Sequence, residues 1–513
     1  MSTIKVVDLF AGPGGLGEGF SSFTTDKDLN PFKIVISVEK ETSAHKTLTL
    51  RSYFRRILKD EGDLKDYFSY VRGETPTPYS NKNKHAWTAA CKEAVQETLG
   101  TPEGNQSLMD GAKKGLGDST KWILIGGPPC QAYSLIGRSR NRGNKDYLPE
   151  SDSRHFLYRA YLDLLAELHP PVFLLENVKG ILTSRVDGGL IFPIILKDLS
   201  NPSISVGKSS GPKYRIYSVS SDECYEAGDA LESIDASKYV VRSEDHGLPQ
   251  ARHRVILIGV REDIAKKPQK LDFTPSLSVR ELIREMPSLR SGLSKKDDVN
   301  DWVKVIVEHS NKLSNIYETS DDLLNKHFRN ITTLFSNIKK ESLTRGGRFV
   351  RYSENSSNSG KLDWWIKSNA DSIGVANHEA RGHMINDLQR YMFAAAYAES
   401  YGKSPKAADF HSTLSPNHKS WGTGAFDDRF RVQLANNHST TITSHISKDG
   451  HYYIHPDPYQ CRSLTVREAA RLQTFPDNYF FEGTRTQQYV QVGNAVPPLL
   501  GNLIASRIFD ILK

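Results

Sequence analysis

The chain has 513 residues, of which 38% are hydrophobic and 25% charged, and its formal net charge is +7. This length exceeds what one compact core usually organises, so we expect two domains. The sequence has no signal peptide and no apolar run of roughly 18 residues, which argues against a secreted or membrane-spanning protein. We expect a soluble cytoplasmic protein whose mild basic excess permits a polyanionic partner without requiring one.

Strand and helix patterns alternate along the first 260 residues. A helical stripe over Leu157–Leu168 separates two apolar runs, which is typical of a βαβ unit in a doubly wound α/β sheet. Several runs are almost continuous in Val, Ile and Leu, as in strands covered on both faces. The predicted strands are Ile4–Phe10, Phe32–Val38, Trp122–Ile125, Val172–Leu175, Tyr214–Val219 and Val255–Val260.

The remaining segments divide the chain further. We predict a first domain over 1–262, interrupted by an insertion at about 60–118 that carries the amphipathic stretch Trp87–Leu99. Residues 263–450 are polar, with weak strand signals, and predict a second, smaller domain of mixed structure. Residues 451–513 return to the first domain, with a capping box at Thr465–Glu468 and a terminal helix whose stripe ends at Leu512.

The first strand runs into the glycine-rich loop Asp8–Gly17. Glycines at a strand-to-helix turn let a nucleotide-like ligand approach the backbone, although the spacing is not that of the dinucleotide motif. The second strand is followed by Glu39, at the usual position of an acid that binds ribose hydroxyls. Together these features favour a nucleoside-bearing cofactor over a plain tight turn.

The segment Gly127–Tyr133 follows the strand at 122–125. Gly126 and Gly127 predict a sharp turn at which the backbone comes close to another molecule, and Pro128 and Pro129 stiffen that turn. The residue presented after them is Cys130, which suggests covalent catalysis, with a small residue in a tight turn as the alternative. The four cysteines are scattered without a CxxC spacing, which disfavours a disulfide framework or a metal site.

Functional-looking residues fall at one edge of the predicted sheet. Phe10, Glu39, Cys130 and Glu176 all follow the carboxyl ends of predicted parallel strands. Doubly wound sheets bind ligands at that edge. The sequence therefore predicts an active site there.

Two basic segments remain. In Gln250-Ala-Arg252-His-Arg254, an extended backbone puts the first, third and fifth side chains on one face, though arginines at a strand start are also common on surfaces. Arginines at 138, 140 and 142 indicate either a loop that contacts phosphates or a solvated loop.

Taken in order, these motifs resemble those of the cytosine-5 DNA methyltransferases, particularly the bacterial restriction–modification type. Residues 263–450 lie where that family has its target recognition domain. The matching segments are Asp8–Leu16, Pro128–Gln131, Asp152–Arg154, Glu176–Val178, Gln250–Arg254, Arg467–Pro476 and Gln491–Val496.

The resemblance implies a Rossmann-like methyltransferase sheet with S-adenosylmethionine as cofactor. Phe10 would stack on the adenine and Glu39 would bind the ribose. The other residues implied for the pocket are Ala11, Gly12, Gly14, Gly15, Leu16, Pro129, Leu157 and Asn494. The aspartate that meets the adenine amino group in the family stays open between Asp63 and Asp110.

The resemblance also implies the chemistry. Cys130 would attack C6 of a flipped-out cytosine, Glu176 would serve N3, and Arg254, with Arg252, would hold O2. The residues implied for contact with double-stranded DNA are Gln131, Ser134, Arg138, Arg140 and Gln250. We expect a monomer that contains no metal, and a cognate restriction endonuclease, if one exists, would act separately.

Three alternatives are weaker. The tRNA-methylating branch of the same family carries a Cys-Phe-Thr tripeptide that is absent from this sequence. The unrelated RNA cytosine-5 methyltransferases use two cysteines, and no second positioned cysteine is evident. A catalytically inactive DNA-binding regulator would have no need of an intact Cys130, Glu176 and Arg254.

Overall fold

The computed structural model describes residues 3–25, 27, 30–60, 63–128, 155–186, 189–352, 360–371, 373–417, 421, 424 and 427–513. The strands are β1 Ile4–Leu9, β2 Phe32–Glu39, β3 Ala94–Gln96, β4 Trp122–Gly126, β5 Val172–Val178, β6 Arg185–Val186, β7 Gly189–Leu190, β8 Tyr214–Tyr217, β9 Cys224–Tyr225, β10 Val240–Arg242, β11 His253–Arg261, β12 Gly292–Leu293, β13 Gly346–Arg351, β14 Gly374–Glu379 and β15 Gly382–His383.

The helices alternate with these strands in the first half of the chain and dominate the second. The α-helices are α1 Gly15–Ser21, α2 Thr42–Asp60, α3 Lys65–Arg72, α4 Lys84–Glu93, α5 Pro102–Leu116, α6 His155–Leu168, α7 Ile191–Ser200, α8 Pro202–Ser205, α9 Val279–Ile283, α10 Val299–Tyr317, α11 Asp322–Asn337, α12 Asp363–Ile366, α13 Ile385–Tyr401, α14 Val466–Leu472, α15 Arg485–Asn494 and α16 Pro498–Leu512.

One mixed sheet forms the centre of the molecule, in the order β3-β2-β1-β4-β5-β11-β8-β9, with β10 paired to β11. The strands from β3 to β5 are parallel, whereas β11 runs antiparallel to both β5 and β8. All six predicted strands are present within a few residues of their predicted limits. The carboxyl ends of β1, β2, β4 and β5 therefore meet at one edge, together with the amino end of β11.

Both faces of the sheet are covered. Along β1, Val6 packs into one hydrophobic cluster with Ile34, while Val7 packs into a second cluster with Ile36. Successive side chains of a strand point to opposite faces, so each strand contributes to two cores. This arrangement confirms the doubly wound α/β class that the apolar runs predict.

The segment at about 60–118 is only partly an addition to the sheet. The amphipathic stretch predicted as Trp87–Leu99 is helical to Glu93, and Ala94–Gln96 then extends to pair in parallel with β2. Helix α5 follows and packs on β2 as a regular crossover helix. The residues outside the βαβ pattern are therefore α3, α4 and their loops.

The segment 263–450 contributes to two cores. Leu271, Val279, Trp365 and Ile442 join the cluster on one face of the central sheet. Helices α10, α11 and α13 instead pack around Trp302, Phe328 and Tyr391 in a separate cluster. The mixed structure predicted for this segment thus consists of a helical body and several pieces that pack on the sheet.

Residues of the last segment, such as Leu464 and Leu500, share a hydrophobic cluster with Val6 of β1. Thr465 and Glu468 form the capping box of α14. Helix α16 packs so tightly on α1 that a Cβ at Gly19 would lie 2.5 Å from its backbone. Residues 485–512 are long and apolar enough to cross a membrane by length and composition alone. However, 67% of the most apolar 18-residue stretch within them is buried inside the molecule, as in the core helices of soluble proteins.

Candidate active site

The loop after β1 has an unusual backbone that glycine makes possible. Phe10 has φ +55° and Gly14 has φ +99°, both in the left-handed region. A Cβ at Gly14 would lie 2.8 Å from the Tyr479 hydroxyl, and a Cβ at Gly15 would lie 2.2 Å from the Val496 carbonyl oxygen. The loop is therefore held against the C-terminal segment, which leaves its other side available to a ligand.

Glu39 is tied to this loop. Its carboxylate accepts one hydrogen bond from the backbone N–H of Gly12 (2.8 Å) and another from that of Glu41 (2.7 Å). A carboxylate has about four lone-pair sites, so it can accept further hydroxyl donors while these bonds persist. Position and chemistry both fit an acid that binds ribose.

The described residues of the predicted cofactor wall differ in burial. Phe10, which follows β1, and Leu157 of α6 are half-buried against the same hydrophobic cluster. Leu16 is buried, so its side chain serves the core, and Asn494 is exposed at the end of α15. Apolar side chains beside a carboxylate and glycine backbone fit a nucleoside-bearing cofactor.

Neither aspartate considered for the adenine amino group lies at the sheet edge. Asp63 is an exposed residue before α3 that accepts from the Lys65 N–H, and Asp110 is exposed on α5. The residue after β3 is Glu97, whose N–H donates to the Glu39 carbonyl (3.2 Å). The sequence hides it because β3 has three residues and continues a helical pattern.

Gly126 and Gly127 are required for space rather than for a left-handed turn, since neither has a positive φ. A Cβ at Gly126 would lie 2.8 Å from the Leu9 carbonyl oxygen on β1. A Cβ at Gly127 would lie 2.8 Å from Oε2 of Glu176. The close approach predicted for these glycines is therefore made to the protein's own strands.

Glu176 pairs with Arg254 at the sheet edge. The Arg254 Nε lies 2.8 Å from Oε1 of Glu176, and the two side chains are 12% and 13% exposed. The same guanidinium donates from one Nη to the His253 carbonyl (2.8 Å). A carboxyl and a guanidinium held together at a half-buried edge can serve adjacent acceptor and donor atoms of one planar ring.

Arg252, two residues earlier, has different surroundings. Its guanidinium is 1% exposed and donates to the carbonyls of Ile442 (2.8 Å) and Gly493 (3.2 Å). Burial, reinforced by Arg254, lowers the pKa of Arg252 well below its usual value, and Glu176 opposes this shift. Arg252 therefore joins three chain segments behind Arg254, and the contact with O2 predicted for it does not agree with this burial.

Gln250 requires a correction. It is fully buried, its amide donates to Leu472 and Gln473, and its oxygen accepts from the Ile442 N–H. Every hydrogen-bonding partner is internal, so the side chain offers no free group to DNA. The predicted contact of Gln250 with DNA does not agree with this burial.

Helix α14 and its flanks extend this buried polar region. Arg462 and Glu468, each 1% exposed, form a bidentate ion pair in which both N···O distances are 2.7 Å. Arg471 pairs with Asp477 in the same way. We call this region the buried hub, and its members are Gln250, Arg252, Arg462, Arg467, Glu468, Arg471, Gln473 and Asp477.

Several predicted site residues lie outside the described part of the chain. They are Pro129, Cys130, Gln131, Ser134, Arg138 and Arg140.

The three described cysteines lack the features of a nucleophile. Burial raises the pKa of each of them, to about 11 for Cys224, so none of these thiols is activated. Among the residues that the structure describes, no group of three His, Cys, Asp or Glu side chains is placed to hold a metal ion.

Comparison with known proteins gives consistent matches. The family model for the C-5 cytosine-specific DNA methylase matches residues 65–206 and 227–510. The chain is 32% identical to the Type II methyltransferase M.Bpa9945I of Bacillus paralicheniformis, over 99% of both chains. It is 25% identical to the DNA (cytosine-5-)-methyltransferase M.ApeKI of Aeropyrum pernix, over 76% of this chain and 81% of that one.

A solved structure supports the fold. It is that of a prophage-encoded protein from E. coli described as a DNA modification methyltransferase. The TM-score is 0.54 at 19% identity, and the superposition covers 99% of both chains. At this identity the likeness concerns the fold alone.

Proposed function

Because the chain belongs to the C-5 cytosine-specific DNA methylase family, we propose that the residues at the sheet edge carry out the reaction of that family. The chain is a DNA (cytosine-5-)-methyltransferase, and membership of this family implies the use of S-adenosylmethionine. We propose that it modifies a specific double-stranded sequence within a restriction–modification system, as the name of its Type II relative suggests.

The cofactor pocket is proposed at the loop after β1. Phe10 would contact the adenine and Glu39 the ribose hydroxyls. The exposed residue Asn494 would line the solvent-facing side of the pocket. Glu97 replaces the two aspartates as the acceptor for the adenine amino group, because it follows β3 beside Glu39. The remaining wall is assigned to the residues proposed from the family resemblance: Ala11, Gly12, Gly14, Gly15, Leu16, Pro129 and Leu157. Bound there, S-adenosylmethionine supplies the methyl group.

The residues of the chain prepare the cytosine. The Cys130 thiolate forms a bond to C6, and the ring electrons that this addition releases are stabilised by protonation at N3 from Glu176. Arg254 donates to O2, which fixes the ring against the carboxyl. After methylation a base removes the C5 proton, the Cys130 thiolate leaves with the electrons of its bond to C6, and N3 returns its proton to the Glu176 carboxylate.

The base must leave the DNA stack to reach these groups, at a cost of a few kcal/mol. We propose that the loop residues Gln131, Ser134, Arg138 and Arg140 contact the DNA around the flipped base. Residues 263–450 would read the sequence, with 1–262 and 451–513 as the catalytic part. This division assigns base recognition to the segment that carries the separate helical core.

The observation that carries this proposal is the Glu176–Arg254 pair next to the Gly127–Pro128 turn. The test is to incubate the protein with methyl-labelled S-adenosylmethionine and either duplex DNA or tRNA. Label is expected in DNA, at one cytosine of a fixed sequence found by bisulfite sequencing. Label in tRNA with unlabelled DNA would contradict the assignment.

Two variants separate chemistry from binding. Cys130→Ser should abolish transfer while the variant still binds duplex DNA. Glu176→Gln should lower the single-turnover rate by roughly 10²- to 10⁴-fold, which is the usual contribution of a general acid. If Glu176→Gln transfers methyl groups at the wild-type rate, the role given to this carboxyl is wrong.

A further inference from the structure

Gly127 differs from Gly15 and Gly126 in what it faces. At Gly15 and Gly126 an added Cβ would meet backbone atoms of another segment. At Gly127 the nearest atom would be the Glu176 Oε2 at 2.8 Å, with the Glu176 carbonyl oxygen next at 3.3 Å. Its φ is not positive, so the backbone itself does not require glycine.

The Glu176 carboxylate is therefore bounded on two sides. Oε1 lies 2.8 Å from the Arg254 Nε, and Oε2 faces the position that a Cβ of residue 127 would take. The next residue on β5, Asn177, donates from its amide to the Pro128 carbonyl (3.2 Å), which fixes the distance between β5 and the turn after β4. The carboxylate occupies the space that a side chain at 127 would fill.

We propose that Gly127 is a positioning residue for Glu176, because its missing side chain lets the carboxyl lie between Arg254 and the turn that leads to Cys130. This inference rests on the proposed role of Glu176. Ordinary contact with a Cβ begins near 3.4 Å, so an alanine here must displace Oε2 by several tenths of an ångström. Because the displaced atom ends a flexible side chain, the carboxyl moves and the fold persists.

A displacement of this size matters for catalysis. Catalytic groups act within about 0.5 Å of their productive position, and a misplacement of about 1 Å costs up to about 100-fold in rate. We expect Gly127→Ala to lower the single-turnover methylation rate by about 10- to 100-fold. The affinities of the protein for S-adenosylhomocysteine, the product left by the cofactor, and for duplex DNA should each change less than about threefold.

The test compares Gly127→Ala in two backgrounds. In wild-type protein the alanine meets Oε2, whereas in Glu176→Asp the shorter carboxyl has withdrawn from it. The added methyl should therefore reduce the rate about 10- to 100-fold in the wild-type background but less than about threefold in the Glu176→Asp background. Gly180→Ala is the control for an added methyl, because the nearest atom to that position is Val178 Cγ2 at 4.0 Å and the φ of Gly180 is not positive.

Crystal structures of the wild type and of Gly127→Ala provide a readout that does not depend on activity. The variant should show Oε2 of Glu176 displaced from its wild-type position, away from residue 127. Equal rate losses in both backgrounds, or an unmoved carboxyl, would overturn the positioning role. Failure of the wild type to methylate DNA would instead overturn the proposed function, and the carboxyl displacement would still be measurable.

Discussion

The sheet edge and the buried hub use the same residue types in opposite ways. Arg252 and Arg254 stand two residues apart in one motif, yet Arg252 is 1% exposed and bound to two carbonyls, while Arg254 keeps 12% exposure and faces Glu176. Likewise Glu468 lies in the hub with both oxygens on Arg462. In Glu176, by contrast, one carboxylate oxygen lies against the Arg254 guanidinium and the other faces the backbone of Gly127.

This difference separates two reasons for which a polar residue is needed. In the hub a charge is tolerated because its partners lie within the protein, so its loss leaves an unpaired group out of water. At the edge the groups keep some solvent contact and spare hydrogen-bonding capacity, so their loss should reduce ligand chemistry more than stability. The predictions below test that separation.

The largest expected effect is on the Arg462–Glu468 pair. Burial would raise the pKa of Glu468, but the Arg462 guanidinium holds it well below its usual value. Arg462→Ala should lower the free energy of unfolding by about 3–5 kcal/mol, because Glu468 remains as an uncompensated buried charge. Urea denaturation at pH 7 measures this, with Arg254→Ala as the matched edge variant. Equal losses for the two variants would remove the distinction between hub and edge.

Asp8 has neither the internal ion pair of the hub nor the solvent contact of the edge. It is 1% exposed on β1, and both its oxygens lack a hydrogen-bond partner among the described residues. Burial raises its pKa to about 8, Arg55 opposes this, and Glu39 adds to it. The folded protein therefore holds this proton up to about pH 8, whereas the unfolded chain releases it near pH 4.

Asp8→Asn should remove the part of the pH dependence of stability that comes from the buried Asp8 carboxyl. For a carboxyl with a raised pKa, stability falls as pH rises between the unfolded and the folded pKa values. The variant should have stability similar to that of the wild type near pH 4, and its advantage should grow to a few kcal/mol at about pH 8. Unfolding measured from about pH 4 to about pH 9 checks this. A difference that does not vary with pH would show that Asp8 is ionised throughout.

Gln250→Leu distinguishes a hub residue from a DNA contact. The change removes hydrogen bonds to Leu472, Gln473 and Ile442, so we expect a loss of about 1–3 kcal/mol in unfolding free energy. DNA affinity, measured by fluorescence anisotropy well below the melting temperature, should change less than about twofold. Weaker DNA binding with unchanged stability would instead support a direct contact between Gln250 and DNA.

The smallest expected effect is at Glu97. Loss of one hydrogen bond to the cofactor is worth about 0.5–1.5 kcal/mol, so Glu97→Ala should weaken S-adenosylmethionine binding about 2- to 10-fold. Calorimetric titration measures the affinity, and Asp63→Ala and Asp110→Ala are the matched controls. If an aspartate variant is the one that loses affinity, Glu97 is not the acceptor.

Most of the strands were predictable because they are short, largely apolar runs bounded by turns, as in Val172–Leu175 and Val255–Val260. Strand β3 was not, because three residues are too few to break the helical pattern before them. Phe10, Glu39 and Glu176 lie at the carboxyl ends of long strands, so their common edge could be foreseen. Glu97 follows the short one and was missed.

The sequence by itself determined the α/β class, the edge at which the site lies and the order of its motifs, because these depend on local periodicity and on where strands end. Only the tertiary structure decided that Gln250 and Arg252 are buried while Arg254 is not. It also decided that Gly127 is needed for the Glu176 carboxyl rather than for a turn. Such roles depend on atoms from distant segments, such as Ile442 and Gly493, which meet only when the chain is folded.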